Sequence, residues 1–206
     1  MSISYPLNIP TTIGIESIEL RAANSVAVSA SPFTYKQQVV AHQGQRWEAS
    51  VNIPPVLKDL SAEWKAFLTA LKGPEGTFLL GDPDYAAPRG IAKTSPGTPV
   101  ITGQSGETIT VTGASPNKTG WLLAGDYIQV GSGSDATLHH VLQKADTDSS
   151  GTVTLEIWPG LRSARSGSII LSNPKGLFRL ASNSSSWSIN SSSAYSISFE
   201  AVEAIV

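Results

Sequence analysis

Only one stretch of this chain carries the three- and four-residue spacing of a helix. In "LSAEWKAFLTALKG" (60–73), Leu60, Trp64, Phe67, Leu68 and Leu71 fall on one side. Ser61 stands where an N-cap is expected, Glu63 suits the positive first turn and Lys72 the negative last one. Gly73-Pro74 supplies a stop. A lone amphipathic helix needs another element to cover its apolar stripe. The rest of the chain offers only strands for that purpose, so the expected fold class is mainly β with one α-helix.

The strands are read from alternation. In "RWEASVNIPP" (46–55), Trp47, Ala49, Val51 and Ile53 share one face, and Arg46, Glu48, Ser50 and Asn52 the other. Pro54-Pro55 is expected to end that strand, since neither can donate to a ladder. "ESIELRAANSVAVSAS" (16–31), with a turn expected at Ala23-Asn24, and "YKQQVVAH" (35–42) precede it. "TFLL" (77–80) follows the helix, and "GDPDYAAPRG" (81–90) is a turn-rich exit. Beyond residue 91, Thr, Gly and Ser dominate. Short strands are expected at 98–102, 107–112, 122–131, 137–145, 152–159 and 166–174, with no helix among them, which suggests a small barrel or sandwich. "KGLFRLAS" (175–182) and "AYSISFEAVEAIV" (194–206) return to longer strands around the serine-rich "SNSSSWSINSSS" (182–193). In the last strand Tyr195, Ile197, Phe199, Ala201 and Glu203 share a side.

This pattern divides the chain into a discontinuous outer domain, 1–90 with 171–206, and an inserted domain, 91–170. The first alone would leave its sheet half covered, and the C-terminal strands complete it. Trp47, Trp64, Phe67, Leu71 and Phe78 form the expected outer core, with the helix packed on the sheet.

Composition narrows the function classes. Charged residues make up 15% of the 206 and the net charge is −2, so no basic field draws nucleic acid or anionic lipid. The absence of cysteine excludes disulfides, thiolate catalysis and cysteine-based zinc sites. "MSISYPLNIP" has neither the basic region nor the apolar run of a signal peptide, and no segment approaches the roughly 20 apolar residues of a membrane span. The expectation is a soluble protein made in the cytoplasm, with no specific nucleic acid and no membrane as partner.

Candidate chemical motifs fail on spacing. "DTDSSGTVTLEIWPGL" (146–161) places Asp146, Asp148, Ser150 and Gly151 as a calcium loop does, but the twelfth position is Ile157 and Glu156 falls one short. Its flanks read as strands, so the loop reads as a polar turn. His139 and His140 are neighbours on a strand and point to opposite faces, and His42 is remote. No G-x-S-x-G elbow and no phosphate loop is present. The expectation is no enzyme: no catalytic, cofactor-binding or metal-binding residues, and no cofactor. Of the five tryptophans, Trp47 and Trp64 read as core, and Trp121 and Trp158 fit core or surface equally. Trp187, in the serine-rich loop, is the best stacking ring if the chain binds host-surface carbohydrate.

Three segments carry a resemblance. "RWEASVNIPPV…LSAEWKAFLTALKGPEGTFLLGDPDYAAPRG" (46–90) runs strand, proline exit, helix, short strand and proline-rich crossing. "GETITVTG…AGDYIQVG…HHVLQKA…GTVTLEIWPGLR" (106–162) has A-G-D before a strand and W-P-x-L after the next hairpin. "SGSIILSNPKGLFRLAS" (166–182) leads back ahead of the serine-rich loop and a final strand. In this order of elements the chain resembles the distal tail proteins of long-tailed phages (siphophages), of the type with an inserted OB-like barrel. The resemblance implies a tail-tube-like β-sandwich with one helix, interrupted by that barrel, and a structural role in the virion. It implies a homohexameric ring at the tail tip that joins the tail tube protein to the baseplate hub or tail-tip proteins. No catalytic residue is carried over.

Overall fold

The computed structural model describes residues 3–191 and 193–205. Met1, Ser2, Ser192 and Val206, parts of the expected N-terminal segment, serine-rich loop and final strand, lie outside the described residues. Among the described residues the fold is mainly β, with one α-helix and two sheets. Its strands are β1 (Leu7–Asn8), β2 (Ser17–Ala30), β3 (Gln37–Val56), β4 (Phe78–Leu80), β5 (Gly97–Ala114), β6 (Tyr127–Val130), β7 (Thr137–Val141), β8 (Val153–Ile170), β9 (Gly176–Leu180), β10 (Trp187–Ile189) and β11 (Tyr195–Glu203). The helix α1 is Lys58–Ala70.

The first sheet runs β1-β4-β9-β11-β3-β2, with β10 attached to β11. Residues from both ends of the chain thus share one ladder: Phe199 pairs with Val51 and Ala201 with Ala49 on one side, and Ala201 with Leu180 on the other. Trp47, Ala49, Val51 and Ile53 are buried while Glu48, Ser50 and Asn52 are not, which is the alternation of a sheet covered on one face. α1 supplies the cover. Trp64, Phe67, Leu68 and Leu71 are buried, and the helix rings meet those of the sheet, Trp64 with Phe199 (6.1 Å) and Phe67 with Phe78 (5.5 Å), while Phe78 and Phe199 of the sheet meet each other at 6.0 Å. All five expected core residues are buried. Each such ring stabilises by about 1.5–3 kcal/mol relative to exposure.

The helix starts earlier than its sequence signals suggest. Leu57 occupies the N-cap with no side-chain bond, and Ser61 lies inside the first turn, its hydroxyl donating back to the Lys58 carbonyl (2.8 Å). The chain enters α1 directly from the end of β3, so the turn forms before the serine is reached. Pro54 and Pro55 do not end β3, which continues to Val56. They lie past the last β2 pair, Ser17 with Asn52, and within the irregularity where Tyr195 and Ile197 pair with Val56 and Ile53. No ladder bond is asked of them there.

The second sheet runs β5-β8-β6-β7, with β7 also pairing β8, and among the described residues neither sheet is closed. Pairs of short expected strands fuse: 98–102 with 107–112 into β5, and 152–159 with 166–174 into β8. Register shifts between Ile101 and Thr108 absorb the glycines that suggested breaks. A second apolar cluster, from Ala92 to Leu171, fills this sheet and includes Trp121, Ile128, Val141 and Ile157. The first cluster draws on 47–80 and 178–201, plus Leu138 of β7.

Between the clusters lies a polar and aromatic junction. Glu203, which ends β11 on the buried side, accepts from the Trp47 amide (3.0 Å) and from both terminal nitrogens of Arg162 (2.9 Å each). The Trp47 indole donates to the Leu138 carbonyl (2.9 Å), and its ring meets Trp158 edge-on at 4.7 Å. Tyr127 stacks on His140 (4.7 Å) and meets Tyr85 (5.2 Å). At the crossing from 81–90, the fully buried Asp126 accepts from the amides of Arg89, Gly90 and Leu123.

Candidate functional site

The strands β2 and β3 outrun the sheet. From Val26 to Ala30 and from Gln37 to Ala41 they pair only with each other among the described residues, in the register Val26–Ala41, Val28–Val39, Ala30–Gln37. No turn forms at Ala23-Asn24. β2 passes through that point with a register irregularity between Asn24 and Val26, opposite Gly44. A side chain at Gly44 would come within 2.9 Å of the Ser25 Cβ, so glycine permits the close approach there.

The result is a two-stranded arm about 20 Å long at the strand rise per residue. Every residue of 24–30 and 37–44 is exposed. One face carries Val26, Val28, Ala30, Gln37, Val39 and Ala41; the other carries Ala27, Ser29, Gln38, Val40 and His42. Val28 and Val39 are each 59% exposed. At the tip the Ser31 carbonyl accepts from the Tyr35 amide (2.9 Å), and Phe33 and Tyr35 project into solvent, 92% and 82% exposed. Between Ala22 and Gln45 the only formally charged residue is Lys36. An isolated ribbon of two strands is marginal in water, and an uncharged apolar edge invites another chain.

The root of the arm is hydrogen-bonded to the second sheet. Asn24 and Gln45 are partners in the ladder, and each is bound from the second sheet. The Trp158 indole donates to the Asn24 side chain (2.8 Å). Gln45 donates to Glu107 (2.7 Å), accepts from the Gly160 amide (2.9 Å) and offers its carbonyl to Arg162 (2.6 Å).

The Asp148 carboxylate accepts from the Ser150 amide and hydroxyl and from the Thr152 amide, which makes it the organiser of a turn. The Thr152 amide foremost, then the Ser150 hydroxyl and amide, hold its pKa below the usual carboxylate value, and the Gly120 amide does the same for Asp146. His139 is buried between the Pro159 carbonyl (2.6 Å) and the Thr137 hydroxyl (2.8 Å), and burial pushes its pKa down to about 4. His140 faces the junction, its pKa lowered mainly by burial. His42 lies on the arm. Among the described residues no group of His, Cys, Asp and Glu is placed to hold a metal ion, and no helix is long and apolar enough to cross a membrane. Trp121 is fully buried and Trp158 half-buried in the junction, whereas Trp187 is 43% exposed on β10. The arm itself was hidden in the sequence, because valines flanked by serine and glutamine read equally as a covered strand.

No protein-family model matches this chain, and no curated protein matches it significantly.

Proposed function

We propose that this chain is a structural virion subunit, a distal tail protein whose copies form a ring between the tail tube and the baseplate hub or tail-tip proteins. The observation that carries the reading is the arm: an apolar, nearly charge-free ribbon with open edges, hydrogen-bonded at its root and covered by nothing among the described residues of its own subunit. Such a surface is useful only when captured by another chain. A protruding patch that docks on a different patch of the next copy makes a heterologous contact, which closes into a ring when the rotation per subunit allows. The two apolar clusters support the finer fold of this reading, a tail-tube-like outer domain (1–90 with 171–206) and an OB-like insert (91–170). The reading assigns no enzymatic activity, and its site of action is the virion tail tip.

Mass photometry with negative-stain imaging of the purified chain tests it. The expected particle is a closed ring of six subunits, lost when Val28 and Val39 are both replaced by Asp while the circular dichroism stays unchanged. A folded monomer at all concentrations, with an arm that stays sensitive to protease even beside a tube protein, overturns it.

A further inference from the structure

Beside α1 and away from the arm lies a shallow groove of about 670 Å³, lined by Ile3, Lys65, Ala66, Thr69, Ala70, Lys72, Trp187 and Tyr195. Its chemistry is mixed in a specific way. Trp187 and Tyr195 give two aromatic walls, on strands β10 and β11 that pair at Ile189–Tyr195 and Trp187–Ile197. Lys65 and Thr69 stand one turn apart on the same helix face, and Lys72 follows at the helix end with φ +51°. The lining holds two cations and no acid. The Lys65 amine rests 4.0 Å over the Tyr195 ring and makes no ion pair among the described residues. Among the described residues Lys72 pairs only with the exposed Glu75, at 4.0 Å. The Thr69 hydroxyl donates to the Lys65 carbonyl (2.7 Å), which leaves its oxygen as an acceptor.

We propose that this groove binds an anionic saccharide, a pyranose chain bearing carboxylate groups. The apolar face of a sugar ring lies against Trp187, as flat amphipathic rings favour. The acid group meets Lys65 and Lys72, and a ring hydroxyl donates to Thr69. A few placed polar groups on an apolar floor are what orient a small ligand. The arm of a neighbouring copy fits this groove less well, because it brings a lysine and no carboxylate. Binding in this groove does not depend on ring assembly and is expected of a monomer as well.

The test is calorimetric titration of the full chain with five probes: hyaluronan tetrasaccharide, tetragalacturonate, the neutral chitotetraose and cellotetraose, and hexaglutamate. Tryptophan emission is followed in parallel, since Trp187 is the most exposed indole. At least one acidic saccharide is expected to bind with a Kd of about 1 mM or tighter, at least about tenfold better than either neutral one. Trp187→Ala should abolish that binding and Lys65→Gln should weaken it by about fivefold or more, with more loss in high salt. Lys65→Gln decides the matter if Trp187→Ala fails to fold. The proposal is overturned if neither acidic saccharide binds, if binding survives Lys65→Gln unchanged, or if hexaglutamate binds as tightly, which would make the groove a dock for an acidic peptide.

Discussion

Strand β3 is two different objects joined end to end. From Trp47 to Ile53 it alternates buried residues with half-buried or exposed ones, sandwiched between β2 and β11 under the cover of α1. From Gln37 to Gly44 it has one strand for a neighbour and every residue is exposed. The residue types hardly change: Val39 and Val40 are as apolar as Val51, yet Val39 is 59% exposed and Val51 not at all. Burial is therefore decided by what lies across the sheet and not by the strand's own sequence. One half is built to be covered inside the subunit; the other carries the same kind of surface outward.

The sharpest way to break this contrast is to strip the covered half of its cover. Trp64→Ala should lower stability by about 3–5 kcal/mol, read as a drop in the urea midpoint, because it opens a cavity between α1 and Phe199. A midpoint that does not move removes α1 as the element that distinguishes the two halves. Glu203→Ala comes next. It leaves the Trp47 amide unpaired and frees Arg162, whose side chain is 29% exposed, so the cost should be about 2–3 kcal/mol.

A third experiment uses pH. His139 is held neutral by burial, with its pKa near 4 in the folded chain against about 6.5 when unfolded. Between those values the unfolded chain binds more protons, so stability is full above pH 6.5 and falls as pH falls toward 4. The slope due to this group is at most about 1.4 kcal/mol per pH unit. His139→Asn should flatten that part of the urea-midpoint profile relative to the parent. The smallest effect belongs to the arm. Val28→Ser with Val39→Ser should change monomer stability by less than about 0.5 kcal/mol, since neither side chain is covered. A larger loss in thermal melts of dilute protein would show that the arm is packed after all.

Much of the covered half was legible. The Trp47–Ile53 alternation and the Trp64–Leu71 stripe are each periodic over several residues, and periodicity survives folding because burial on one face imposes it. Leu60 is the exception, 44% exposed in the first turn. What did not show was set by partners distant in sequence. Ala23-Asn24 looked like a turn, but pairing with Arg46 and Gln45 keeps it extended. Trp187 lay in a run of serines with no strand signal, and β10 forms because β11 offers it an edge. Glu203 looked like an afterthought to an apolar face. It is buried because Arg162, forty-one residues earlier, arrives to meet it.

The pinned pair Asn24–Gln45 has a mechanical consequence. The ribbon is tied at its root to groups as far away as Trp158, 134 positions along the chain. Cut out the stretch that carries Glu107, Trp158, Gly160 and Arg162, and the ribbon would swivel at its bulge like an unlatched gate. Mutations on one lobe would then re-aim a limb that belongs to the other without touching a single atom of its tip.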